Sequence, residues 1–198
     1  MLRFKFFILL FICVYSVTAQ DTIQLTDLLK NDLKSNYLRK INALSNYFNI
    51  ISDKTKNDTL RNKSIDLAVM LFMSENNLVE VSSLYTKEPK RFKVRAYLNK
   101  LKMLPYTKTT IEWFDIFFAS KFTKRPDGKY EGIAQFHIRV DTTGTNIEGG
   151  KYKDITKKNI QIIIEERTIE TGDQRELVWE VFLGDIKVEE TKSASNQK

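Results

Sequence analysis

The chain carries a single cysteine, Cys13, and it lies in an apolar run near the start. With that run set aside, no thiol is left for a disulfide, a thiolate nucleophile or a metal site. Histidine is equally scarce, so any mechanism that needs an imidazole must use His137. Metal ligation would fall to carboxylates alone, and no EF-hand spacing occurs. No Gly-x-Ser-x-Gly segment offers an exposed nucleophilic serine. Gly149-Gly150-Lys151-Tyr152 lacks both the spacing and the hydroxyl residue of a phosphate-binding loop. The composition therefore points away from metal, cofactor and nucleophilic-serine chemistry, and no cofactor is expected.

Long hydrophobic runs are also missing. Phe6 to Val14 is too short to span a bilayer as a helix. With Arg3 and Lys5 before it and Val17-Thr18-Ala19 after it, residues 1–20 read as a secretory signal peptide, with a retained N-terminal anchor as the rival reading. Acylation at Cys13 is disfavoured by bulky Ile12 before it. The expected product is exported, periplasmic or extracellular, with no transmembrane span once the signal is removed. It is held together by its hydrophobic core alone, for which 42% hydrophobic residues in a 198-residue chain suffice.

The formal charge of +7 includes Arg3 and Lys5, which leaves +5 without the signal. Acidic residues are interspersed throughout, which reads as a soluble, lysine-rich surface. Nucleic acid would need a continuous basic face with stacking aromatics. The nearest approach is Lys87, Lys90, Arg91, Lys93 and Arg95 around Phe92, which Glu88 interrupts. No nucleic-acid partner is expected, although that patch could attach to an anionic surface.

Residues 21–190 read as one α+β domain and residues 191–198 as a polar tail. Apolar residues from Leu25 to Ile51 recur at three and four, as one long helix or two with a break near Asn36. A second helix, with Asp58 as its N-cap, runs through Leu60 to Phe72. Leu78–Leu84 reads as a strand, Lys87–Lys90 as a turn, and about Lys93 to Met103 as a third helix stopped by Pro105.

Four strands follow. Thr107 to Thr123 forms a long one, with Ile111, Trp113 and Phe117 on one face and Phe114, Ile116 and Phe118 on the other. Lys129 to Asp141 alternates with Tyr130, Ala134, Phe136, Ile138 and Val140 inward. Asn159–Glu165 and Leu177–Leu183 flank a Gly172-Asp173 turn signal as an antiparallel hairpin at the centre of the sheet.

This order, with the stretches Asp154-Ile155-Thr156-Lys157-Lys158-Asn159 and Trp179-Glu180-Val181-Phe182-Leu183-Gly184-Asp185-Ile186, resembles the nuclear transport factor 2-like (ketosteroid isomerase-like) superfamily. In particular it resembles uncharacterised exported bacterial members, over roughly Leu33 to Val188. The resemblance implies a cone of helices packed on a curved, mainly antiparallel sheet. Such a cone encloses a pocket used for steroid-like and polyketide substrates, dimerisation or partner binding. Family enzymes place a tyrosine with acidic residues, or an Asp–His pair, in that pocket. Tyr47, Asp66, Asp115 and His137 are of the right chemical types but align with no family motif.

Two groups of candidate residues follow. Tyr47, Phe72, Tyr97, Trp113 and Trp179 could line an apolar pocket, although aromatics at such spacing are also ordinary core. If Pro126-Asp127-Gly128 is a three-residue loop, Asp115 faces Arg139 and Phe117 faces His137. Asp115, His137 and Arg139 would then form one polar cluster, at the pocket mouth or on the solvent face. The paired acids Glu165-Glu166 and Glu189-Glu190 alternate across a strand and read as solvated edges. The first functional reading is a non-catalytic domain binding a partner protein or small apolar ligand, with a homodimer conceivable. The alternatives are a pocket enzyme of the ketosteroid isomerase-like type and attachment to an anionic surface.

Overall fold

The computed structural model describes residues 27–86, 88–143, 152–171 and 174–194. The signal-like start with Cys13, the Gly144–Gly150 loop and the Gly172-Asp173 turn lie outside them. Helix α1 spans Asp27–Ser52 without interruption, so the chain continues as one helix through Asn36. It buries Leu33, Tyr37, Ile41, Leu44, Phe48 and Ile51, the stripe that a helical period places on one face. Helix α2 spans Asp58–Val69 and is capped by Asn57, whose side chain accepts from the Leu60 backbone N–H at 2.7 Å. Asp58, expected in that role, is instead the first helical residue and pairs with Arg61 and Lys102, each at 3.2 Å. Buried Arg61 donates to the Ile51 and Lys102 carbonyls at 2.9 and 2.5 Å, which ties the helix ends together.

Strands β1 (Leu78–Val81) and β2 (Lys90–Lys93) precede helix α3 (Val94–Lys102). Strands β3 (Lys108–Phe118), β4 (Thr123–Lys124), β5 (Tyr130–Thr143), β6 (Lys153–Thr171) and β7 (Gln174–Ser193) follow. The expected order lacked β2 and β4. The seven-stranded sheet runs β2-β1-β7-β6-β5-β3, with β4 also on β5. Among the described strand pairs β1–β7 alone is parallel, and the isolated Phe72–Leu183 bridge is parallel as well. The β6–β7 hairpin is central, as its apolar runs suggest, and β7 continues to Ser193, within the stretch read as a tail. α2 stops short of Phe72 because the chain there joins β7: Met73 N donates to Leu183 O at 2.8 Å and Leu183 N to Leu71 O at 2.9 Å.

The helices cover the inner face of the sheet. The Asn49 amide clamps both backbone groups of Ile111, donating to its carbonyl and accepting from its N–H at 2.8 Å each. Ser52 Oγ adds a bond to Thr109 O at 2.9 Å. α1 thereby satisfies part of the β3 edge, which would otherwise be open to another strand.

The expected register fails at two places. The turn itself forms as anticipated: Arg125 N donates to Lys129 O at 2.7 Å, and Gly128 takes φ 85°. Beyond it, residues 119–122 leave the ladder, and a β-bulge interrupts β3 between Phe114 and Phe117, with Asp115 at φ 52°. Glu112 consequently faces Arg139, Phe114 faces His137 and Phe117 faces Gln135. Each slip of one residue reverses the faces. Ile116 and Phe118 therefore join Ile111 and Trp113 on the inner face, while Phe117 turns out, 47% exposed.

Phe118 and Phe122, with ring centroids 4.5 Å apart, lie where a side chain at position 132 would go. A Cβ at Gly132 would collide with both rings. Gly132→Ala should therefore lower stability by about 1–3 kcal/mol, the range for overpacking a fitted core. Urea denaturation of the two proteins checks this, with a lower midpoint expected at an unchanged slope.

Candidate functional site

The candidate residues fall on opposite faces of the sheet. On the inner face, the Trp113 ring stacks on Phe136 at 4.3 Å and 3°, and Phe48 meets it edge-on at 5.5 Å. Tyr97 packs against the other side of Phe48 at 5.4 Å. Phe72 is buried beside β7, and Tyr47 is half-buried against the core. Trp179 sits further along β7, edge-on to Tyr130 at 5.7 Å.

Asp115, His137 and Arg139 do gather on the outer face, but in a different pairing from the one expected. Arg139 bonds Glu112 at 2.6 Å and lies over the Phe114 ring at 4.9 Å. His137 stacks on Phe114 at 5.3 Å, with its Nδ1 3.5 Å from Asp115 Oδ2. Asp115 does not face Arg139, because the bulge moves the register. The arrangement is a cross-strand ion pair and an Asp–His contact on an uncovered face, away from the aromatic interior.

A denser set of ionisable groups lies on the inner face around Tyr97. Asp154, Thr156 and Lys158 on β6 share a face with Ile160, Ile162 and Ile164, and all six are buried. Tyr152 donates its hydroxyl to Asp154 Oδ2. Lys158 Nζ donates to Glu80 O at 2.7 Å. Buried Glu80 accepts from Arg91 and from Val188 N, each at 2.9 Å, beside a bulge in the β6–β7 pairing. Thr156, Thr191 and Ser82 hydroxyls bond in sequence beside it.

Burial dominates the proton equilibria here. It pushes the Lys158 amine down to about 8, with Asp154 and Glu80 opposing the shift. Burial raises the Asp154 carboxyl against the effects of Tyr152 and Lys158. The Tyr97 and Tyr152 hydroxyls are likewise raised, first by burial and then by the nearby Asp154 charge.

Among the described residues four polar side-chain atoms are buried without a hydrogen-bond partner: Asp154 Oδ1, Trp113 Nε1 and Thr109 Oγ1 on this inner face, and His137 Nδ1 on the outer one. Native interiors leave few such groups, since each costs about 1–3 kcal/mol. The arrangement combines a rigid aromatic wall, two phenols that keep their protons, a carboxyl with a free oxygen and an amine easily made neutral. Its unpartnered oxygens and indole N–H are groups that could hydrogen-bond one hydroxyl or carbonyl.

Tyr97 and Trp113 were legible as candidates; Asp154, Lys158, Tyr152 and Glu80 were not. A signal existed for two of them, because Asp154 and Lys158 have the parity of the isoleucines that follow, the inward one. Among the described residues no group of three or more His, Cys, Asp or Glu could hold a metal ion. None of their helices is long and apolar enough to cross a membrane.

No protein-family model matches the chain, and no curated protein matches it. Among solved structures, it is similar to a putative scytalone dehydratase from Novosphingobium aromaticivorans DSM 12444, at 12% identity and a TM-score of 0.40. The match covers 82% of this chain and 91% of that one. A likeness of that degree carries no weight for function.

The lowered amine has a consequence for stability. Below pH 8 Lys158 is charged in both folded and unfolded chains, and its burial is fully unfavourable. Between about 8 and 10.5 the folded chain releases the proton that the unfolded chain keeps, so this contribution to stability rises with pH. Lys158→Met has no amine to titrate, so the parent's stability relative to it should rise between about pH 8 and 10.5, which urea midpoints at a series of pH values will show.

Proposed function

We propose that this chain is an exported ligand-binding domain of the nuclear transport factor 2-like type. It takes a small, largely apolar molecule against the inner face and fixes it by one polar group. The observation that carries the reading is the set of partnerless buried atoms, Asp154 Oδ1, Trp113 Nε1 and Thr109 Oγ1, on the face that also holds Tyr97 and Lys158. A domain with no ligand to orient would be expected to fill such positions with apolar side chains. The helix order and the α1–α3 cover over a curved antiparallel sheet support the family reading. The charged, apolar and small-residue succession of residues 1–20 supports export.

A second reading, a pocket enzyme, is favoured by one specific observation. A carboxyl raised by burial lies close enough to the Tyr97 hydroxyl to perturb it, and such pairs can move protons between neighbouring atoms of a substrate. Attachment to an anionic surface has less in its favour. Arg91 is committed to Glu80, and Arg95 to Asp66 and Glu75, at 2.7 to 3.6 Å.

In a Trp179→Phe background Trp113 is the remaining tryptophan. Its fluorescence should change saturably with small ring compounds bearing one hydroxyl or carbonyl group, and Asp154→Leu should weaken the response at least tenfold. Native mass spectrometry of the protein from its own host should show a retained organic mass that Asp154→Leu loses. Absence of both signals in a folded parent would overturn the ligand-binding reading. Turnover of a bound ring compound, abolished by Asp154→Asn with binding retained, would select the enzyme.

A further inference from the structure

The outer face of the sheet carries a groove of about 610 Å³ between residues 120–123 and the Asp185–Glu189 stretch of β7. It lies across the sheet from the inner cluster, and its floor is a ladder of amides. Gln135 Nε2 donates to Asn159 Oδ1 at 3.0 Å, and Asn159 Nδ2 donates to Glu189. Gln161 Nε2 donates to Glu131 Oε2 at 2.7 Å, and its Oε1 accepts from Asp185 N at 3.5 Å. The Gln135, Asn159 and Gln161 amides each use one of their two hydrogens in these bonds, and the accepting oxygens keep lone pairs. The ladder therefore offers fixed donors and acceptors side by side.

Gly184 seats this floor. A bulge between Ile160 and Ile162 sets Gln161 against Gly184, and a Cβ there would run into the Gln161 side chain. The amide can lie in the groove and reach Glu131 only because position 184 has no side chain. Asp185 is held in turn by Asn77 Nδ2 and Leu78 N at 2.9 Å each, which fixes the groove wall to β1. Exposed Ile133 lines the same groove, and Phe117, 47% exposed, stands next to Gln135. Glu131, Asp185 and Glu189 outnumber Lys121 and Lys187, so the lining has no excess of positive charge to hold a phosphate or another anion.

We propose that this outer groove is a binding site for a neutral saccharide. Vicinal sugar hydroxyls donate and accept at adjacent positions, as the Asn159, Gln161, Glu131 and Glu189 ladder requires. The apolar face of a sugar ring suits exposed Ile133 in the lining. The volume lies within the range of small-molecule sites and accommodates a few sugar units.

The side-chain amide signals of Asn159 and Gln161 report directly in proton–nitrogen correlation spectra of the nitrogen-labelled protein. Titration with maltotriose, cellotriose and triacetylchitotriose should shift them saturably with at least one of the three. Gln161→Ala should weaken that sugar at least tenfold, and Gly184→Ala should do the same by displacing the Gln161 amide. Lys158→Met, on the other face, should leave the affinity unchanged, which separates this site from the inner one. The proposal is overturned if none of the three sugars moves these signals at about 10 mM. It is also overturned if inorganic phosphate competes for the shift, or if Gln161→Ala binds as the parent does. Should Gly184→Ala fail to fold, the Gln161→Ala result alone decides.

Discussion

The structure depends on bending strands that are too long to stay flat over a small core. β6 and β7 pair along most of their length, and both faces of such a ribbon cannot be covered unless it curves around the helices. Bulges supply the curvature, one in β3 at Asp115 and two in the β6–β7 pairing. Several backbone groups near the bulges and on the open edge are satisfied by side chains. Glu80 takes up the Val188 N–H, Gln161 the Asp185 N–H, and the Asn49 amide both backbone groups of Ile111 on the open edge. Polar side chains are therefore drawn to the irregular places, and those are the places where chemistry could be carried.

The two sides of β6 show how one strand serves two environments. Residues of one parity, Asp154 to Ile164, face the helices and change from polar to apolar along the strand. Those of the other parity include Asn159 and Gln161, which face the groove. Inside, burial raises the Asp154 carboxyl and the Tyr97 and Tyr152 phenols and lowers the Lys158 amine. Outside, solvent leaves the carboxylates free to orient amides. The same strand thus presents a dry face with buried ionisable groups and, at Asn159 and Gln161, a wetter face of hydrogen-bonding amides.

Much of the architecture was legible because burial has a period. The stripe from Leu33 to Ile51, the alternation in β5 and the apolar runs of the central hairpin each predicted the face that is now buried. The β3 register was not legible: counting back from the Pro126-Asp127-Gly128 turn assumes an unbroken ladder, and residues 119–122 and Asp115 both break it. The short strand at Lys90–Lys93 was hidden for another reason. It is a polar edge strand with no alternation to reveal it, and its pairing with β1 defines it. Of the candidate site, Tyr97 and Trp113 stood out as aromatics, whereas Asp154 and Lys158 looked like ordinary surface charges because most charges are.

The sequence by itself determined the α+β class, the central hairpin, the inward apolar stripes of α1 and β5 and the scarcity of thiol and imidazole, since these follow from composition and from periods of two and of three to four. Only the tertiary structure decided which charged side chains are buried, how the bulges reassign faces, and that Asp115, His137 and Arg139 lie on the opposite side of the sheet from Tyr97. The physical reason is that a bulge is a local conformational choice made to suit distant packing. A single residue dropped from a ladder reverses every side chain beyond it.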